Sequence, residues 1–198
     1  MNIAKLHDDL PASLHAHIRR VSHIALEIGR IHSLDLEKIA FATQYHDLAR
    51  VTPPKLLLTE CKNLGIPIGD FEKQLPLLLH GPVAAAWVQV ADNALASPEV
   101  VEAIQHHSVA SPNMSQIAKV VFLADKLDPH KIERYPFQLE VSKASTHDLD
   151  KALFIFIHRE IAMRLGLNQL IHPQSITTRN YLLESYAASI EPTKPEGQ

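Results

Sequence analysis

Cysteine is nearly absent. The chain has one, Cys61, so no internal disulfide can form, and a reducing cytoplasm is the expected setting. Glycine is scarce, at 6 of 198 residues, and aromatic residues make up 6%. A sustained alternation of apolar and polar residues, the mark of half-buried strands, is missing too. No apolar run approaches the roughly 18 residues that suggest a membrane span. The start, Met1-Asn2-Ile3-Ala4-Lys5-Leu6-His7-Asp8-Asp9, lacks the apolar centre of a signal peptide. Neither sign of charge dominates. A net charge of −3 and a pI near 6.5 give no basic face for nucleic acid or an anionic membrane. The expected partner is a small molecule, and an anionic one would need metals or a few placed cations. A homodimer is left open.

What is present points to helices. Hydrophobic residues are 46% of the chain, enough for one sizeable core. The sequence predicts one all-α domain over residues 1–188 and a polar, Pro-rich flexible tail over 189–198. A first helix is expected from Pro11 to Ile31, where His17, Val21, Ile24, Ile28 and Ile31 mark one face. A second is expected from Asp35 to Arg50, with His46 and Asp47 on its stripe. Pro53-Pro54 then interrupts the chain, and a short helix near Pro54 to Lys62 follows. Further helices open at His80-Gly81-Pro82, at Pro98, behind a Ser115 cap, near Asp148 and at Pro173.

The 13 histidines are the unusual excess. His17, His46, Asp47, His80, His107 and Asp125 each fall on or beside a predicted apolar stripe. A titratable group in a core is costly unless something satisfies it, and a pair of divalent metal ions would satisfy all six. Mixed imidazole and carboxylate donors suit iron, manganese, nickel or zinc. Periodicity separates His107, which shares the stripe of Val100 and Ile104, from His106 on the flank. Cys61 lies in a polar stretch away from the histidines, so a thiol nucleophile has little support.

The series His17, His46-Asp47, Asp125 resembles the HD-domain metal phosphohydrolase superfamily. His80-Gly81-Pro82, Ala103-Ile104-Gln105-His106-His107, Phe122-Leu123-Ala124-Asp125 with Asp128-Pro129, and Leu170-Ile171-His172-Pro173 with Arg179-Asn180 narrow it. Together they resemble the YqeK-like branch, the HD-domain symmetrical bis(5′-nucleosyl)-tetraphosphatases of bacteria, over roughly residues 14 to 184. The resemblance implies a single helical HD-domain bundle around a dinuclear centre of divalent or mixed-valence metal, iron first. It implies that His17, His46, Asp47 and Asp125 bind one metal, and that His80 and His107 complete the second with Asp47 bridging. The implied activity is symmetrical cleavage of diadenosine tetraphosphate to two ADP by metal-activated hydroxide, with Asp47 and Arg50 as the catalytic pair. His172 matches a family position but reads as a cap or packing residue.

Phosphate contacts are expected from Arg50, one turn after the His-Asp pair, from Ser108 and Ser111, and more weakly from Lys126 and Lys131. Here the chain departs from the family. His107-Ser108-Val109-Ala110-Ser111-Pro112-Asn113-Met114 has no arginine, where the resemblance implies a phosphate-binding Thr-Thr-Gly-Arg stretch. Lys126 stands where an aromatic is common. Two alternatives therefore stay open at the level of sequence. One is an HD-type phosphohydrolase acting on another nucleotide or phosphate ester. The other is a metal-binding regulatory protein whose catalysis has lapsed.

Overall fold

The computed structural model describes residues 1–91 and 93–189. Among them the helices are α1 (Ile3–Asp8), α2 (Ala12–Ile31), α3 (Leu36–Tyr45), α4 (Pro54–Asn63), α5 (Asp70–Gln74), α6 (His80–Val90), α7 (Pro98–His106), α8 (Gln116–Lys126), α9 (Gln138–Ser145), α10 (Leu149–Gly166) and α11 (Pro173–Ser189). Short 3₁₀ turns cover Pro76–Leu79 and Pro129–Lys131, and the described residues contain no strand. None of these helices is long and apolar enough to cross a membrane. Of the tail expected over 189–198, Ser189 ends α11 and residues 190–198 lie outside the described residues.

Local chemistry sets the helix starts. Asp35 accepts hydrogen bonds from the N–H groups of Glu37 and Lys38, Ser115 from Ala118, and Asp148 from Lys151. Each satisfies a donor that helix geometry leaves unpaired, a contribution of about 1 kcal/mol. Pro54 and Pro98 open α4 and α7, where a missing N–H costs nothing. Helices α1, α5 and α9 were not expected from the sequence. They span 6, 5 and 8 residues, too few for a periodic stripe to register.

Helix α8 runs through the middle of the bundle. Every residue from Ile117 to Lys126 is buried, and α2, α3, α7, α9 and α10 all pack against it. A helix apolar nearly all round belongs in such a position. Phe122 of α8 meets Phe156 of α10 edge to face, with centroids 5.5 Å apart. Lys119 reaches out of the core to Asp150 at 2.7 Å. The exceptions at the other end, Asp125 and Lys126, lead into the site.

The stripe of α2 differs from the expectation. Ile18, Val21, Ala25 and Ile28 form its buried face, while His17 and Ile24 lie at the edge and Ile31 is 53% exposed. Positions 17, 24 and 31 are seven apart and drift by about 20° per heptad on a straight helix, so the last rotates out to solvent. Cys61 also differs. It is fully buried on the inner face of α4 beside Leu57, and burial pushes its thiol up to about 11. A protonated, enclosed thiol makes a poor nucleophile.

Candidate metal centre

Two of the candidate histidines stand just past helix C-termini, and the third stands where the Pro76–Leu79 turn passes into α6, which it opens as the sequence predicts. His46 follows the last residue of α3, His80 follows the 3₁₀ turn Pro76–Leu79, and His107 follows α7. The second helix, expected to reach Arg50, stops at Tyr45. Beyond it the chain tightens, with Leu48 N–H bonding Tyr45 O at 3.1 Å and Arg50 N–H bonding Asp47 O at 2.9 Å. A helix end leaves backbone carbonyls without partners. Each histidine meets the carbonyl three residues back through Nδ1: His46 to Thr43 at 2.7 Å, His80 to Leu77 at 2.5 Å, His107 to Ile104 at 2.8 Å. These bonds place the hydrogen on Nδ1 and leave Nε2 as a bare lone pair.

All these lone pairs face Asp47. Its Oδ1 lies 3.0 Å from His80 Nε2 and 3.3 Å from His107 Nε2. Its Oδ2 lies 3.6 Å from the Nε2 atoms of both His17 and His46. One carboxylate thus divides two histidine pairs between its two oxygens. Asp125 joins the second pair, with Oδ1 at 3.1 Å from His17 Nε2 and 3.9 Å from His46 Nε2. Gly81 allows the first pair to form. A Cβ there would stand 2.9 Å from Gln105 O, 3.2 Å from Ile104 O and 3.3 Å from His107 Cε1, so only glycine lets α6 press against the end of α7.

A second layer holds the ligating candidates. His17 Nδ1 bonds Asp128 at 2.6 Å, and Arg20 grips both oxygens of Asp128 at 2.7 and 2.8 Å. Lys126 Nζ donates to Asp125 Oδ2 at 2.9 Å and to His107 O at 3.0 Å, and Lys131 Nζ donates to Asp125 Oδ1 at 2.5 Å. Burial raises the Asp47 carboxyl, but His46, His107 and His80 outweigh it and hold it well below the usual range. Asp125 follows the same pattern, with Lys126 and Lys131 as the opposing charges. Burial drives His46 down, and His107 to about 4. Burial also pulls His17 down, yet its bonds to Asp125 and Asp128 prevail and raise it.

The centre opens into a cavity of about 380 Å³. Arg50, Ser108, Lys126, Lys131, Arg134 and Arg164 supply its polar wall, and Phe71, Leu75, Leu77, Ile161, Leu170 and Ile171 its apolar wall.

The HD domain family model matches residues 14–130. The chain belongs to the HD-domain family. Among the relatives of this HD domain, the "Bis(5′-nucleosyl)-tetraphosphatase, symmetrical" of Halalkalibacterium halodurans is 28% identical over 167 residues, 84% of this chain and 87% of its own. The protein of the same name from Bacillus subtilis is 26% identical over 181 residues, 91% of this chain and 95% of its own. A crystal structure of a "predicted HD superfamily hydrolase involved in NAD metabolism" from Clostridium acetobutylicum superposes with a TM-score of 0.80 at 28% identity, covering 93% of this chain and 98% of that one.

The residues of this HD domain fit a divalent metal. His46 Nε2 is buried with no hydrogen-bond partner, an orphaned acceptor that a cation would satisfy. Two sets of donors come close enough together to hold an ion, His17 with His46 and Asp125, and His46 with Asp47 and His107. Membership of the HD family and this cluster point together to divalent metal binding.

The other sequence candidates separate. Arg50, Ser108 and Lys126 line the cavity. Ser111 does not; its N–H points to Met114 Sδ at 3.2 Å, because Asn113 turns the loop back at a φ of 56°. His106 bonds Val109 O at 3.3 Å, outside the cluster. Lys126, the last residue of α8, is buried with its Nζ over the Phe122 ring. His172 bonds Glu72 Oε1 at 2.8 Å and accepts from Gln174 N–H at 3.1 Å, joining the start of α11 to α5. Sequence reasoning missed Arg134, Tyr135, Glu160 and Arg164, and it used Asp128 only in the Asp128-Pro129 match to the family, with no role at the site. Asp128 lies beyond the end of α8, where it caps the Pro129–Lys131 turn and meets His17. The others come from α10 and the segment after the Pro129–Lys131 turn, with no pattern to link them.

Proposed function

We propose that this HD domain hydrolyses diadenosine tetraphosphate symmetrically to two ADP, using two metal ions held by His17, His46, Asp47, His80, His107 and Asp125. The observation that carries the reading is Asp47, whose two oxygens address separate histidine pairs. The donor set of nitrogen and carboxylate oxygen suits iron, manganese, nickel or zinc, and the family resemblance puts iron first. Bound metal would supply Lewis acidity, which lowers the pKa of a water and neutralises phosphate oxygens. The curated relatives named for this activity support the substrate.

The chain's own residues do the rest. The Nδ1 bonds to helix-end carbonyls keep the Nε2 atoms of His46, His80 and His107 aimed inward. Asp128 does the same for His17. Arg50 and Arg134 line the cavity, and neither guanidinium makes an ion pair among the described residues. Both are free to take phosphate oxygens in pairs. Lys126 and Lys131 offset the charge of Asp125 beside the anionic chain. The nucleotide is the partner in this reading, and the cytoplasm, where Cys61 stays reduced, is the compartment.

The test is product analysis with metal-loaded protein and diadenosine tetraphosphate. ADP as the sole nucleotide product is expected. ATP plus AMP would overturn the symmetrical position of cleavage, and no turnover with iron, manganese or nickel would overturn the activity. Elemental analysis should give two metal ions per chain.

A further inference from the structure

Glu160 is an acid in the wall of a cavity otherwise suited to anions. It sits on α10, and its side chain is 16% exposed. Arg164, one turn later, donates Nε and Nη2 to a single carboxylate oxygen, Oε1, at 3.1 and 3.0 Å. Oε2 makes no hydrogen bond among the described residues. An ionised polyphosphate offers acceptors and no donors, so it leaves such an oxygen unsatisfied and repels it. On a nucleoside polyphosphate the donors are the sugar hydroxyls and the amino group of the base.

Position separates those two. On one side Glu160 shares the cavity wall with Tyr135 and with Lys126, which bonds Asp125 of the metal centre. On the other, Ile161 follows it in the chain, and Arg164 Nη1 reaches the carbonyl of Leu170 at 3.4 Å. Ile161 and Leu170 belong to the apolar wall. The carboxylate therefore stands between the cationic and apolar ends of the cavity. A nucleotide carries its sugar in that interval, between phosphate and base. Resting on the nucleotide reading above, we propose that Glu160 Oε2 accepts a hydrogen bond from a ribose hydroxyl, with Arg164 fixing the carboxylate and offsetting its charge. The cavity thereby selects ribonucleoside over dideoxyribonucleoside polyphosphates.

Calorimetry on the manganese-loaded protein tests this with ADP and 2′,3′-dideoxy-ADP. ADP should bind about tenfold or more tightly, the scale of one hydrogen bond to a charged group. In Glu160→Ala the gap should close, through loss of ADP affinity and not through gain for the dideoxy analogue. Equal binding of the two ligands by the unaltered protein overturns the proposal and leaves symmetrical cleavage standing. A gap that survives Glu160→Ala overturns it as well. Failure of both ligands to bind overturns it together with the nucleotide reading. The ligand pair on the unaltered protein decides the matter even if the variant does not fold.

Discussion

The Nε2 atoms of His80 and His107 lie 2.9 Å apart, and neither carries a hydrogen in the tautomer that their bonds to Leu77 and Ile104 require. Two lone pairs at that distance repel. The Ser108 hydroxyl, 3.3 and 3.1 Å from the two nitrogens, has one hydrogen and can serve one of them. A cation relieves the pair, so its binding free energy adds to the stability of the fold.

Removal of metal should therefore lower the melting temperature. At a free metal concentration a hundredfold above Kd the stabilisation is about 2.7 kcal/mol, and each kcal/mol moves Tm by about 2–4 °C in a chain of this size. A fall of about 5–10 °C on chelation is expected in scanning fluorimetry. An unchanged Tm would contradict metal binding at this cluster.

Asp47→Ala should abolish hydrolysis and reduce bound metal, since its two oxygens serve both histidine pairs. Elemental analysis and an ADP-release assay read the two effects; full metal content in this variant would contradict the assignment.

His107→Ala should cost much more activity than His106→Ala. The first residue meets Asp47 at 3.3 Å, while the second bonds Val109 O away from the cluster. Parallel kinetics of the two variants give the ranking, and a reversed order would place His106, not His107, in the centre.

Gly81→Ala should damage the centre with no change in any ligand. The added methyl meets the carbonyls of Gln105 and Ile104, which are backbone and cannot swing aside. Strain of this kind typically costs about 1–3 kcal/mol. A lower Tm with weakened metal binding is expected, and unaltered titration curves would show that α6 can shift freely.

Asp128→Asn should weaken metal binding by about 10–100-fold, the usual loss when the partner orienting a ligating histidine is altered. Arg20→Ala should give a smaller loss in the same direction, since Arg20 acts through Asp128. A metal titration compares them. An Arg20→Ala effect larger than that of Asp128→Asn would mean that Arg20 acts by another route.

The amino-acid sequence determined the helical class, most of the longer helices and the set of inward-facing histidines and aspartates. These depend on periodicity, on capping residues such as Ser115 and on the cost of placing titratable groups among Val, Ile and Leu, all of which operate along a single chain segment. It did not disclose that His46 and His107 stand just past the ends of α3 and α7, or that His80 bonds back into the turn before α6. That depends on where each helix terminates, and the packing around Asp47 decides it. The second layer of Asp128 and Arg20, the clearance at Gly81 and the pairing of Glu160 with Arg164 beside the apolar wall were likewise decided by tertiary structure. Segments far apart in sequence carry no mutual periodicity, and they acquire a shared chemistry only when the bundle closes around α8.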